Sequence, residues 1–321
     1  MVRCFAWVTL FTGIYSLVPY PVHAQWFSDW TTNGFDAQRS FWVRQDPKIS
    51  TESIQTGQFQ RLWKHNFSDE PQRLNSLQPP ILFDFYIGHR GFRSLGFMSS
   101  GSGQIFVVDT DLARMEWVKN FDSNSSLPKI SPECPGEMTA NVTRPTPAGL
   151  PPLFATLRRG RRSPAASGVG EPHKGAVTLQ HLVRRPATAA SPSVEPTRER
   201  ELTLPWATEV TEYIYALTED GLLHARYVAD GNTNKNTVRF LDPHANAHGL
   251  IVVDNFAYVS TTNGCGGVEN GVWAVDLYSE QVINWRADGE VAGIAGPVFG
   301  PDGVLYVATA GNTSSSVVSL N

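Results

Sequence analysis

Residues 249–287 read GLIVVDNFAYVSTTNGCGGVENGVWAVDLYSEQVINWRA, and this stretch decides the fold. A short apolar run, LIVV at 250–253, ends at an Asp254-Asn255 turn. A second run at 257–262 contains Tyr258 and Val259, both strong β-formers. After a glycine-rich crossing comes a third run, VWAVD at 272–276, and then a fourth at 281–286 that carries Trp285. Four short β-runs separated by turn residues predict a four-stranded antiparallel meander. Such a unit cannot bury both faces alone and needs neighbours of its own kind.

The neighbours are in the sequence. Residues 105–121 read IFVVDTDLARMEWVKNF, residues 213–228 read YIYALTEDGLLHARYV, and residues 296–321 read GPVFGPDGVLYVATAGNTSSSVVSLN. Aligned on one another, they place Val107, Ala225, Ala274 and Ser319 at one repeat position. The last two intervals are 49 and 45 residues, and the first is 118, long enough to contain an insertion. A period of about 40–50 residues with four strands per unit indicates an all-β fold, a β-propeller of four-stranded antiparallel blades. About four blades are expected: 79–121, a second from 138–144 that resumes at 213–241, a third at 249–287, and a fourth from 296.

The flanking segments set the domain organisation. Arg3, an apolar stretch at 4–18, Pro19 and Pro21, and Val22-His23-Ala24 read as a signal peptide over residues 1–24. The apolar stretch is short for a membrane span. The expectation is a secreted or periplasmic protein with no transmembrane segment after cleavage, and an uncleaved N-terminal anchor is the competing reading. Residues 25–144 then hold an N-terminal segment and the first blades, and 206–321 hold further blades of the same propeller. Between them, residues 145–205 contain ten prolines, nine Lys or Arg and four Asp or Glu. Such a composition cannot offset its ordering entropy, so a disordered basic, proline-rich insertion is expected. A solvated loop, a basic arm for an anionic surface and a segment foreign to the native coding sequence all remain open readings of it. The whole chain carries 26 Lys and Arg against 30 Asp and Glu, which argues against nucleic acid as the partner of the globular part.

Cys4 leaves with the signal peptide. Cys134 and Cys265 remain, an even number in an oxidising compartment. A disulfide between them and two separate thiols both stay open at this point.

Residues 59–67, FQRLWKHNF, read as an orphan fourth strand, because Trp63 to Phe67 matches Trp117 to Phe121 in spacing. At the other end, residues 316–321 read as a third strand without a fourth. A propeller left open exposes a β-edge and an apolar blade face. The expectation is an open, incomplete arc of about four blades whose terminal face is apolar around Val304, Tyr306, Val317 and Val318. Direct pairing of 59–67 with 316–321 in a compact ring is the competing outcome.

These elements resemble the quinoprotein alcohol dehydrogenase-like superfamily of propellers. Ala274-Val275-Asp276 followed by Trp285 is similar to that family's repeat, Ala-x-Asp with a Trp eight residues after the Asp. Asp109 to Trp117 keeps the interval of eight, whereas Asp276 to Trp285 has nine. Ala113-Arg114 and Glu280-Gln281 stand where the family often has Thr-Gly. The segment from Asp29-Trp30 through Arg39-Ser40 to Leu62-Trp63 is similar to the start of those enzymes. The resemblance covers 29–144 and 206–321. It implies that Trp117 and Trp285, and Trp63 at the matching position, dock between neighbouring blades. It also implies pyrroloquinoline quinone over a central calcium ion, held beside a catalytic Asp and commonly a vicinal disulfide. This chain has no adjacent cysteines. Other members carry no quinone and act as binding or assembly scaffolds.

Candidate chemistry is sparse. His244 and His248 have i, i+4 spacing but follow Asp242-Pro243 and precede a strand, so a loop is expected and no third metal ligand is evident. Residues 263–267, NGCGG, read as a glycine-rich hairpin or as a loop facing the central pocket. Asp109 and Asp276 are expected to bond backbone groups at strand ends. Arg144 reads equally as a ligand contact or an ordinary strand-end arginine. No Ser-His-Asp set, P-loop or HExxH motif is present. Catalytic and cofactor-binding residues are therefore not assigned, and no metal site or cofactor is expected. The function expected is a binding or scaffold module for an unknown ligand or protein partner. The alternatives are a quinone- and calcium-dependent dehydrogenase of alcohols or sugars, and an envelope assembly scaffold that binds extended peptides.

Overall fold

The computed structural model describes residues 29–43, 50–57, 60–67, 77–88, 91–121, 131, 133–146, 212–291, 295–311 and 314–320. The expected signal peptide at 1–24 and residues 147–205 of the expected insertion lie outside the described residues. Among the described residues no helix is long and apolar enough to cross a membrane.

Blade 1 contains β1 (Ile81–Gly88), β2 (Gly91–Ser100), β3 (Gln104–Asp109) and β4 (Arg114–Asn120), in that spatial order. Blade 2 contains β5 (Tyr213–Leu217), β6 (Leu222–Tyr227) and β7 (Val238–Arg239). Its first strand comes from across the gap in sequence. Thr143 N donates to Tyr215 O at 3.0 Å, and Tyr215 N donates back to Thr143 O at 2.7 Å. Blade 3 contains β8 (Asn246–Val253), β9 (Phe256–Thr262), β10 (Gly271–Asp276) and β11 (Val282–Arg286). Blade 4 contains β12 (Glu290–Val291) and β13 (Val298–Phe299), both paired to β14 (Leu305–Ala310), with β15 (Ser315–Leu320) on the far side of β14. Val107, Ala225, Ala274 and Ser319 each lie on the third strand of their blade.

Local chemistry explains the strands, and the burial of both faces explains their composition. Asp254 and Asn255 have φ of 47° and 70°, the geometry of a tight two-residue hairpin whose twist matches the flanking strands. On β8, Leu250 and Val252 face blade 2, while Ile251 and Val253 face blade 4. The run LIVV is apolar at every position because a middle blade has no solvent face, a pattern otherwise typical of strands covered on both sides. The same alternation holds on β5, where Tyr215 and Leu217 face blade 3 and Ile214 and Ala216 face blade 1. Three apolar clusters result, one at each boundary between successive blades. The fold is an all-β propeller arrangement of four antiparallel blades.

Two expectations need correction. Residues 60–67 form no strand, because no described residue offers them a backbone ladder; they lie over blade 1 through side-chain contacts instead. The competing outcome, pairing of this segment with β15, is not seen among the described residues, where β15 pairs with β14. On blade 4, Tyr306 and Val317 are exposed at 37% and 72%, but Val318 turns inward and packs in the cluster between blades 3 and 4. Side chains alternate along a strand, so Val317 and Val318 cannot share a face. A short helix not read from the sequence, α1 (Thr51–Gln55), starts at a capping box formed by Ser50 and Ser53.

Candidate functional site

The inner edge of each blade is its first strand, and one stretch of chain touches all four. Residues 29–41 have little periodicity and would be taken for a loop. Trp30 N donates to Leu82 O at 3.0 Å, and Leu82 N returns a bond to Trp30 O at 2.9 Å, on β1. Arg144 N donates to Thr31 O at 2.8 Å beside blade 2. Thr32 Oγ1 donates to Leu250 O at 3.0 Å on β8. Phe299 N donates to Ala37 O at 2.9 Å on β13.

Arg39 is the centre of this arrangement. It is 7% exposed. Its Nε donates to Pro297 O at 2.9 Å, Nη2 to Gly249 O at 2.7 Å, and Nη1 to Asn33 O. Burial lowers its pKa to about 10, so the guanidinium stays charged at neutral pH. Its partners are carbonyls, which satisfy the fork of donors without supplying a full negative charge. Gly249 has φ of 62°, and a Cβ there would lie 2.1 Å from Ala295 O. No other residue lets β8 and the chain before β13 approach this closely.

A second cluster lies beside it. Arg144 Nη1 donates to Asp29 Oδ2 at 2.6 Å, its Nη2 lies 3.3 Å from Glu212 Oε2, and its guanidinium stacks 3.5 Å over the Phe83 ring. Burial raises the pKa of Asp29, with Arg144 pulling against it. Burial likewise raises Glu212 against the charge of Arg144. Arg144 thus directs both terminal nitrogens at carboxylates of the fold.

Between blades 1 and 2 a cleft of about 270 Å³ opens, walled by Lys119 and Phe121 on one side and Thr218, Asp220, His224 and Arg226 on the other. His224 Nε2 lies 3.1 Å from Thr218 Oγ1, and its ring centroid is 4.6 Å from that of Phe121. Burial, then the nearby Arg226 charge, lowers its pKa to about 4, so it is neutral at pH 7. Arg226 lies over the Phe121 ring at 5.2 Å. The cleft sets the cations Lys119 and Arg226 and the carboxylates Glu219 and Asp220 around the Phe121 ring, a setting for binding a polar group.

Trp117 Nε1 donates to Val228 O of blade 2 at 3.1 Å, and the ring covers Gly231, where a Cβ would lie 2.8 Å from it. Trp63 Nε1 donates to Thr110 O of blade 1 at 2.9 Å. Trp285 is half-buried in the cluster between blades 3 and 4. Cys134 and Cys265 are joined by a disulfide across 131 residues, tying the chain before blade 2 to the β9–β10 turn of blade 3. Residues 265–267 of that turn form a 3₁₀ turn, and Asn263 Nδ2 donates to Glu133 O at 2.9 Å. Asp109 Oδ1 accepts from Asp111 N and Leu112 N at 3.1 and 3.0 Å, and Asp276 Oδ1 accepts from Tyr278 N at 2.8 Å. Both aspartates therefore close the turn after a third strand. His244 sits in a turn with φ of 65°, whereas His248 lies on β8, so the expected loop ends at Ala245, before β8 begins at Asn246.

The superfamily resemblance implies a quinone above a central cation. The described residues do not fit that pair. The chain's own segment and the Arg39 guanidinium bind the carbonyls of the inner edges, placing a cation against oxygens that a metal ion would need. Among the described residues no group of three His, Cys, Asp or Glu is arranged to hold a metal. Cys265 bonds a distant cysteine and not a sequence neighbour.

No family model matches this chain. No curated protein matches it in sequence. Among solved structures it is similar to BamB from Moraxella catarrhalis, at 16% identity over 67% of this chain and 57% of that one, with a TM-score of 0.22. The chain thus spans less than two thirds of that protein's length. The propeller assignment rests on the sheet order and blade boundaries described above.

Proposed function

We propose that this chain is a propeller scaffold of the quinoprotein-like kind, secreted or periplasmic, which binds a ligand or protein partner without converting it. The observation that carries this reading is Arg39. Its guanidinium joins the inner edges of blades 3 and 4 to the N-terminal segment from inside. A charged, saturated arginine at the inner edges supports a structural hub and opposes a cation-and-quinone seat there. Binding then falls to outer surfaces, including the cleft with Lys119 and Arg226 on its walls. The signal-peptide composition of residues 1–24 supports the compartment.

The test is direct. The purified protein is mixed with pyrroloquinoline quinone and calcium, and absorbance and dye reduction with alcohols and aldoses are recorded. The expected result is neither a stoichiometric bound-quinone spectrum nor turnover. A stoichiometric spectrum with turnover would overturn the reading and favour the dehydrogenase.

A further inference from the structure

Elsewhere at the boundary between blades 1 and 2, charges are paired inside the fold. Arg93 meets Glu116, and Arg144 meets Asp29 and Glu212. The cleft at that boundary differs. Lys119, Asp220 and Arg226 all line it, and among the described residues none of the three has an ion-pair partner. Arg226 Nη2 lies 3.3 Å from His224 Nδ1, on a neutral ring, and Arg226 Nε is buried with no acceptor. Asp220 Oδ1 accepts from Thr218 Oγ1 and Leu222 N, whereas Oδ2 has no hydrogen bond among the described residues. All three charges are near enough to act on the His224 ring, yet the opposite ones do not meet. Opposite charges that share a cleft without neutralising one another complement a molecule that carries both.

The rest of the wall narrows the class. Phe121 lines the cleft and offers apolar surface beside the charges. At about 270 Å³ the cleft falls just under the range, about 300 Å³ and above, of pockets for drug-sized ligands. The occupant is therefore small and has an apolar part. A phosphorylated ligand brings only negative charge and would be repelled by Asp220 and Glu219, whereas a neutral sugar leaves every charge without a counter-charge.

We propose that this cleft binds a free α-amino acid with an apolar or aromatic side chain. Asp220 takes the ammonium, Arg226 and Lys119 take the carboxylate, and the side chain lies along Phe121. The polar contacts are charge-assisted hydrogen bonds, the strong kind. The assignment names a ligand class for the binding reading given above and rests on that reading.

The test is isothermal titration calorimetry on the full chain. L-phenylalanine is compared with N-acetyl-L-phenylalanine, which lacks the ammonium, and with L-phenylalaninamide, which lacks the carboxylate. The free amino acid is expected to bind, and each blocked form to bind about tenfold or more weakly. Asp220→Asn keeps an acceptor for Thr218 and Leu222 and is expected to erase the preference over the acetylated form. Arg226→Gln is expected to erase the preference over the amide. Lys119→Gln, at a position with no described hydrogen bond, is expected to reduce that second preference and keeps it readable if Arg226→Gln does not fold. Circular dichroism checks the fold of each variant. Equal binding of all three compounds, or no binding of L-phenylalanine at millimolar concentration, would overturn the proposal. So would preferences that survive all three substitutions. The quinone experiment above separates the two claims: without turnover there, absent amino-acid binding sinks this proposal and leaves the scaffold reading standing.

Discussion

The boundary between blades 2 and 3 and the boundary between blades 1 and 2 solve one problem differently. Between blades 2 and 3 the buried cluster is apolar and uncharged, Leu217, Leu223, Phe240 and Leu241 meeting Leu250, Val252 and Val259, with Asn141 and Thr139 hydrogen-bonded to the backbone of β8 beside it. No tryptophan from a fourth strand docks there; Phe240 follows β7 into the cluster, Trp273 of β10 packs against it, and the Cys134–Cys265 disulfide spans the joint. Between blades 1 and 2 the apolar cluster shares its boundary with charge. Arg93 pairs with Glu116, Arg144 with Asp29 and Glu212, and His224 is buried beside Arg226. Trp117 bridges this boundary, bringing a large apolar ring with one donor that reaches a backbone carbonyl. The repeat does not require its tryptophan at every joint. It requires that the wedge between two twisted sheets be filled.

The comparison can be broken or sharpened by experiment. If the disulfide is a principal clasp of the outer joint, replacing Cys134 and Cys265 together with serine should cost about 3–5 kcal/mol in denaturant unfolding, because the loop it closes spans 131 residues. A loss below about 1 kcal/mol would assign that joint to apolar packing alone. Leu250, fully buried at the same boundary, should cost about 3 kcal/mol when changed to Ala, within the range for a core leucine that leaves a cavity. A much smaller loss would show the boundary to be loosely packed.

The charged boundary should respond to pH where the apolar one does not. His224 has a folded pKa of about 4, below its ordinary value of 6.5. The unfolded chain takes up a proton below 6.5 that the folded chain refuses until about 4. Its contribution is therefore complete above pH 6.5 and lost as pH falls from 6.5 towards 4, by about 2–3 kcal/mol. The raised carboxyls of Asp29 and Glu212 act in the opposite sense, so the readout is wild type minus His224→Gln at pH 7.5 and 4.5. An unchanged difference between the two pH values would place His224 in a solvated site. Smallest of all, Trp117→Phe keeps most of the ring and removes one hydrogen bond, for about 1 kcal/mol. A cost as large as that at Leu250 would make the indole donor, and not the ring, the feature that the boundary depends on.

What could be read from the residues was local. Hairpins such as Asp254-Asn255 and runs such as LIVV carry their own β-signal, and four copies, the last three of them 49 and 45 residues apart, identify the blades and the third-strand positions of Val107, Ala225, Ala274 and Ser319. Much of the candidate site was not legible. Arg39 bonds carbonyls 210 and 258 residues away, and Thr32 one 218 residues away. Contacts of that range leave no periodic mark on a short, aromatic, turn-rich segment. The cleft between blades 1 and 2 likewise joins Lys119 and Phe121 to His224 and Arg226, residues that meet only once two blades pack.

By itself the sequence determined that the chain folds into repeated antiparallel blades, because strand propensity, turn geometry and two-sided burial are properties of neighbouring residues. Only the tertiary structure decided that residues 60–67 dock without forming a strand, that Cys134 meets Cys265, and that residues 29–41 bind the inner edges of all four blades. A backbone group bonds whichever partner the packed blades bring within about 3 Å, and the order of the residues does not encode that distance.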